Sequence, residues 1–283
     1  MTQQAASGAP PRGEIVRNGD LETHYLSYGE GPAVVFLHGS GPGASGYSNF
    51  KLNVEAVVAA GHRAIVIDMI GFGYSSKPSD IDYTTALFAD NVKATLDQLG
   101  IEQCTLLGNS LGGAICIRLA LDFPQLVTRL IMMAPGGIEE KDRYFAMPGI
   151  AKMVSAFVGG GLDRDGLRQI LEILVHDPKH VTDALVEERF CILETQPPDV
   201  LSRMIIPNMA AELPNLQCPV YGFWGEQDEM TPVSGVAHFT RQCQQAQFLT
   251  LSQCGHWVMV EHAGLFNAHL TGILDGNLSL EQG

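Results

Sequence analysis

A serine, an acid and a histidine stand on loops that would converge if the strands before them were neighbours. Gly108-Asn109-Ser110-Leu111-Gly112 follows a β-rich run and opens a helical one, Leu111 to Phe123, which Pro124 ends. In that strand-turn-helix setting a GxSxG segment holds its serine on a tight elbow, with glycine where a Cβ two residues away would strike neighbouring backbone. The helix that begins there supplies unpaired N–H groups and partial positive charge for an oxygen that turns negative. A serine hydroxyl becomes a useful nucleophile when a base takes its proton, and a carboxylate must fix that base's tautomer. Asp228 leaves a strand in Trp224-Gly225-Glu226-Gln227-Asp228, and His256 follows the last strand in Ser252-Gln253-Cys254-Gly255-His256-Trp257. Glu226, the rival acid, sits nearer the strand end with less loop in which to reach an imidazole, and His262 and His269 fall at helix-like positions. Ser110, Asp228 and His256 are therefore the expected nucleophile, orienting acid and general base, in a chain order that GxSxG enzymes use.

His38-Gly39-Ser40-Gly41-Pro42-Gly43-Ala44 follows the apolar run Ala33 to Leu37. A loop so rich in glycine can turn its N–H groups towards an incoming oxygen, and the amides of Ser40 and Leu111 are the expected oxyanion hole. His38 is expected to be a hydrogen-bonded loop scaffold.

The elements that must position these loops are short β-rich runs alternating with helical patterns: Ala33 to Leu37, Arg63 to Ile67, Cys104 to Leu107, Leu130 to Met133, Val220 to Trp224 and Phe248 to Leu251. Alternation of this kind implies an α/β chain with a mostly parallel sheet covered by helices. AVVFL and LIMM are apolar throughout, as strands buried on both faces should be. Phe88, Val92, Leu96 and Leu99 form one helical stripe ending at Gly100. Thr23 to Tyr28 reads as an antiparallel strand at the sheet's edge, ending in the turn of residues 29 to 32.

More residues separate Leu130–Met133 from Val220–Trp224 than a crossover helix needs. The pattern from Glu139 to Asn208 is helical, with apolar Met147, Met153, Phe157, Leu174, Phe190 and Met204, and is broken at Gly159-Gly160-Gly161, Asp177-Pro178 and Pro197-Pro198. The expected organisation is core at residues 1–138, a helical cap at 139–208 and core again at 209–283.

The chain of 283 residues carries 17 Lys and Arg against 31 Asp and Glu, a net charge of -14 that repels phosphate backbones and acidic membrane surfaces. No nucleic-acid or membrane partner is expected. Met1 to Glu14 lacks the apolar stretch of a secretory signal and reads as a loose tail, and no run reaches the ~20 apolar residues of a membrane span. Cys104, Cys116, Cys191, Cys218, Cys243 and Cys254 show no CxxC spacing and are expected to be reduced thiols of a cytoplasmic protein. His176 and His180 are split by Pro178 with no third ligand nearby, so no metal is expected.

The HGSGPGA run with Asn49 after it, the GNSLGG run from Gly108 to Gly113, the WGEQD run ending at Asp228 and the CGHW run ending at Trp257 together resemble the meta-cleavage-product hydrolases. These are carbon–carbon bond hydrolases of bacterial aromatic-ring degradation, and the resemblance covers nearly the whole chain, most specifically outside the cap. It implies an α/β-hydrolase fold: a mostly parallel eight-stranded sheet flanked by helices, with an inserted helical cap. The implied substrate is a small molecule, a vinylogous 1,5-diketone in its dienol form of the 2-hydroxy-6-oxo-hexa-2,4-dienoate type. Water splits it into a 2-hydroxypentadienoate-type acid and a second carboxylic acid, with no metal or organic cofactor. A homodimer or larger homo-oligomer is implied as well.

Position by position, the resemblance implies Ser110, Asp228 and His256 as the triad and Ser40 and Leu111 as the oxyanion amides. Gly39, Gly41, Asn49, Asn109, Leu174, Arg189 and Trp257 are implied in substrate binding. Arg189 would offer a charged fork to a carboxylate and its vicinal oxygen, and the asparagines would orient the enol without adding charge. Leu174 stands where some relatives carry phenylalanine, and the ring substituent accepted would depend on the volume left by Leu174 and Val175. Two routes fit these residues: an acyl intermediate on Ser110, or water activated directly by His256 to give a gem-diol.

A serine carboxylesterase or lactonase of the same fold would use the same triad and amides, but gives no reason for Asn49, Asn109, Arg189 and Trp257. A haloalkane dehalogenase or an epoxide hydrolase needs a carboxylate at position 110. A non-catalytic binding protein would be expected to have lost a triad member, and all three are present.

Overall fold

The structure, a computed structural model, describes residues 8–157 and 162–278. Its strands are β1 (Glu14–Asn18), β2 (Leu21–Tyr28), β3 (Ala33–Leu37), β4 (Arg63–Ile67), β5 (Tyr83–Thr84), β6 (Cys104–Asn109), β7 (Val127–Met133), β8 (Met204–Ile205), β9 (Val220–Gly225) and β10 (Ala246–Leu251). The helices are α1 (Gly46–Phe50), α2 (Val54–Ala59), α3 (Thr85–Gln98), α4 (Leu111–Asp122), α5 (Lys141–Phe145), α6 (Pro148–Phe157), α7 (Arg164–Glu172), α8 (Asp183–Leu193), α9 (Asp199–Ser202), α10 (Val236–Gln242), α11 (Val258–Glu261) and α12 (Ala263–Leu274).

Eight strands form one sheet in the order β1-β2-β4-β3-β6-β7-β9-β10, antiparallel at β1·β2 and β2·β4 and parallel from β4 onwards. The mostly parallel sheet read from the sequence is thus the architecture of the chain. Side chains alternate across it: Val35 and Leu37 face the layer of α3 and α4, while Val34 and Phe36 face the layer of α2 and α12. Both faces are covered, which is why AVVFL carries no polar alternation, and each such buried side chain contributes about 1.5–3 kcal/mol.

Two expectations need correction. The strand read at Thr23 to Tyr28 is an interior strand, because β1 pairs along its outer side. In β1 only Val16 is buried, so its sequence, EIVRN, carries almost no apolar signal. The tail read as loose is tied where it is described: Tyr74 Oη donates to Pro10 O at 3.0 Å and Gly13 N donates to His24 Nε2 at 2.7 Å. Residues 1–7 of that tail and the Gly159-Gly160-Gly161 break lie outside the described residues.

Parallel strands deliver their following loops to one edge of the sheet. That edge receives the loops after β3, β6, β7, β9 and β10, and helices α5 to α9 occur between β7 and β9 in the chain. β8 pairs in parallel with β5, tying the end of this helical insertion to the segment before α3. Among the described residues no helix is long and apolar enough to cross a membrane.

Candidate active site

Ser110 lies between β6 and α4 with φ 54° and ψ −114°, a backbone conformation costly for any residue with a Cβ. The elbow is clamped on both sides: Ser110 N donates to Met133 O at 3.0 Å, and Ser110 O accepts from Gly136 N at 2.9 Å and Ala114 N at 3.1 Å. It closes this tightly because its flanks lack side chains. A Cβ on Gly108 would come within 2.5 Å of Gly112 O, and one on Gly112 within 1.9 Å of Leu37 O.

Asp228 and His256 meet from the ends of β9 and β10, strands paired in parallel at the sheet's far edge. His256 Nδ1 lies 2.8 Å from Asp228 Oδ2, with both side chains shielded from solvent. The carboxylate is held by three further donors: Met230 N at 2.7 Å and Thr231 N at 3.0 Å to Oδ1, and Thr231 Oγ1 at 2.7 Å to Oδ2. An acceptor so fixed holds the imidazole with its proton on Nδ1 and leaves Nε2 as the basic nitrogen. The rival acid Glu226 is exposed. No hydrogen bond joins Ser110 Oγ to the imidazole among the described residues, yet both side chains border one cavity of about 230 Å³.

Gly39, Ser40 and Gly41 from the loop after β3, with Asn109, Leu111, Leu174 and Trp257, also border that cavity. Leu111 is the first residue of α4, so its N–H has no acceptor within the helix. Val175 borders a neighbouring surface groove with Lys152 and His176, so of the two cap residues weighed for substituent choice only Leu174 faces the cavity.

Asn49 and Arg189 stand behind this wall rather than in it. Arg189 is 1% exposed and forms no ion pair among the described residues, its neighbour Glu188 bonding Lys51 instead. Arg189 Nε donates to Pro42 O at 3.1 Å, and Nη1 donates to Ser48 Oγ at 3.3 Å and Asn49 Oδ1 at 3.4 Å. The guanidinium lies 5.6 Å from the Trp257 ring centre. Its Nη2 has no partner among the described residues and faces Gly41, where a Cβ would sit 3.2 Å away. Burial holds the Arg189 pKa down to about 9. Asn49 Nδ2 donates to Asn109 Oδ1 at 3.2 Å, and Asn109 Nδ2 donates to Met133 O at 3.1 Å. The result is a buried cation with an unused donor, backed by amides in fixed orientation, on the β3 side of Ser110. Such a group suits a carboxylate with a vicinal oxygen.

His38 is a scaffold by its contacts. Nδ1 lies 2.8 Å from Gly39 O and Nε2 accepts from Met69 N at 3.1 Å, so the ring is neutral, and burial pushes its pKa down to about 4. Thr231, Ser48 and Tyr144 were not singled out from the sequence. Asp228-Glu229-Met230-Thr231 carries one signal, an acid whose oxygens cap the N–H groups two and three residues on. Tyr144, on the short α5, carries none. Among the described residues no group of three or more His, Cys, Asp or Glu side chains could hold a metal ion.

Comparison with known proteins follows the same lines. The alpha/beta hydrolase fold family matches residues 32–169. A 2-hydroxy-6-oxononadienedioate/2-hydroxy-6-oxononatrienedioate hydrolase of Comamonas testosteroni is 34% identical, over 88% of this chain and 89% of that protein. A 2-hydroxy-6-oxo-6-phenylhexa-2,4-dienoate hydrolase of Burkholderia cepacia is 32% identical, again over 88% and 89%. Among solved structures, a serine-to-alanine variant of the meta-cleavage product hydrolase of Pseudomonas fluorescens IP01, complexed with acetates, superposes with a TM-score of 0.82. Its sequence identity is 26%, over 94% of this chain and 98% of that one.

Proposed function

Because this chain belongs to the meta-cleavage-product hydrolases of the alpha/beta hydrolase fold, we propose that it hydrolyses a carbon–carbon bond in a 2-hydroxy-6-oxo-hexa-2,4-dienoate-type ring-fission product. The observation that carries this reading is the Arg189 guanidinium, buried without an ion pair among the described residues, beside Trp257 and Asn49 and directly behind the Gly41 wall of the Ser110 cavity. An esterase gains nothing from a buried, unpaired cation. A substrate with a fixed carboxylate and enol oxygen does.

With that end directed at Arg189, the C6 carbonyl lies over Ser110 and its oxygen meets the amides of Ser40 and Leu111. The enol proton is lost and C5 gains a proton, giving the keto form. His256 then takes a proton from the oxygen nucleophile, Ser110 Oγ or water, as that oxygen adds to C6. When the tetrahedral carbon collapses, the C5–C6 pair flows through the C3–C4 double bond to the C2 oxygen, which the Arg189 end receives. Net, water supplies hydroxyl to the departing acid and hydrogen to the dienol product.

The enzyme is further proposed to be cytoplasmic and a homodimer or larger homo-oligomer. Six free thiols and the β10 edge strand, with no strand on its outer side among the described residues, support these readings, and the solution mass tests the second. Activity is tested by following a yellow dienoate and a p-nitrophenyl ester with wild type and Ser110→Ala. Fast bleaching of the dienoate, abolished in the variant, with slow ester turnover, is expected. Rapid ester turnover with an untouched dienoate would move the assignment to a carboxylesterase or lactonase.

A further inference from the structure

The strand order divides the cavity. β6 carries Ser110, β3 lies on one side of it, and β7 and β9 lie on the other. Arg189, bonded to Pro42 and Ser48, and Asn49, on α1, stand on the β3 side. Met230 and Thr231 follow β9 and Tyr144 bonds Ile138 after β7, and Ile150, Met153, Ile170, Met204 and Ile206 line the cavity with them. Neither hydroxyl offers charge: Thr231 Oγ1 donates to Asp228 Oδ2, and Tyr144 Oη accepts from Ile138 N at 3.2 Å. Among the described residues no Lys or Arg lines the cavity itself, Arg189 standing behind the Gly41 wall. Cations close by in the chain are engaged elsewhere: Lys152 with Glu229 at 2.6 Å, Arg203 with Asp82 at 3.1 Å, and Arg143 with its Nη2 3.4 Å from Ser234 Oγ.

Resting on the carbon–carbon hydrolase reading, we infer that the group on C6 of the substrate, which leaves as the second acid, is a neutral alkyl or aryl substituent rather than one ending in a carboxylate. A carboxylate there would give up its water for thioether and aliphatic walls, with no donor pair or cation in exchange. A neutral substituent instead gains contact with three methionines, whose unbranched side chains adapt to its shape. The inference runs against the dicarboxylate named for the Comamonas testosteroni relative and with the phenyl substrate named for the Burkholderia cepacia relative.

The test is kcat/KM for three dienoates that share the carboxylate end and differ at C6: methyl, phenyl, and a carboxyethyl chain. The better neutral substrate is expected to exceed the dianion by about 100-fold or more, as an uncompensated buried charge requires. Ile206→Arg, which places a cation at this end, should shift that ratio towards the dianion by about tenfold or more. A dianion turned over as well as the neutral substrates, or a ratio unmoved by Ile206→Arg, overturns the inference and leaves carbon–carbon hydrolysis standing. Failure to turn over any of the three overturns both.

Discussion

Thr231 and His256 share one oxygen of Asp228: the threonine hydroxyl donates to Oδ2 at 2.7 Å and the imidazole Nδ1 meets the same atom at 2.8 Å. Both donors fix the carboxylate, and through it the ring proposed as the general base. Thr231→Val removes one of the two donors to Oδ2, so the carboxylate and the imidazole it orients are held less firmly. We expect kcat for a dienoate to fall about tenfold with little change in KM, and Thr231→Ser should restore it. An unchanged kcat in Thr231→Val would reduce Thr231 to a packing residue.

Arg189 separates function from stability. It is buried with no acidic partner among the described residues, so the folded state bears its desolvation while the proposed substrate supplies the missing charge. Arg189→Met keeps the length and removes the ion. We expect kcat/KM for a dienoate to fall about 100-fold or more while the urea midpoint stays level or rises. A variant that unfolds more easily and still turns over the dienoate would show the guanidinium to be structural.

What was legible in the sequence followed from local physics. AVVFL and LIMM are apolar because β3 and β7 are covered on both faces, and GNSLG marks an elbow because Gly108 and Gly112 have backbone where a side chain would stand. Asp228 and His256 could be chosen because each follows a strand end at the shared edge. Arg189 is different: on α8 it has no local signal, since its burial depends on Pro42, Ser48 and Asn49 more than a hundred positions away. β1 escaped notice because it buries one side chain, and Tyr144 because its place at the cavity depends on how α5 sits against the loop after β7.

His38 sets a pH dependence of stability. Buried neutral, with a pKa near 4, it resists the proton that the unfolded chain accepts at about 6.5. The unfolded state therefore binds more protons between those values, and stability falls as pH drops from about 6.5 to about 4, by roughly 3 kcal/mol in total. Burial pushes the nearby Asp68 carboxyl up, but the hydrogen bonds from His24 and from Tyr74 N hold it below the usual range, so its own loss comes at lower pH. Urea titrations at pH 7 and pH 5 should show the drop in wild type and a flatter response in His38→Asn. Equal slopes would mean that the proton is taken up elsewhere.

Ser110 holds its hydroxyl in place at the expense of backbone strain. With φ at 54° and ψ at −114° it occupies a region open to glycine and costly for serine or alanine, and the clamps from Met133, Gly136 and Ala114 keep it there. Ser110→Ala removes the oxygen and keeps the Cβ, so it should be inactive with stability close to wild type. Ser110→Gly removes both, and relief of the strain should exceed the entropy a glycine adds to the unfolded chain, leaving the folded state about 1 kcal/mol more stable than the alanine variant. Paired thermal melts of the two variants decide the matter. If Ser110→Gly melts below Ser110→Ala, the elbow is not strained, and the proposed nucleophile occupies its position without opposing the fold.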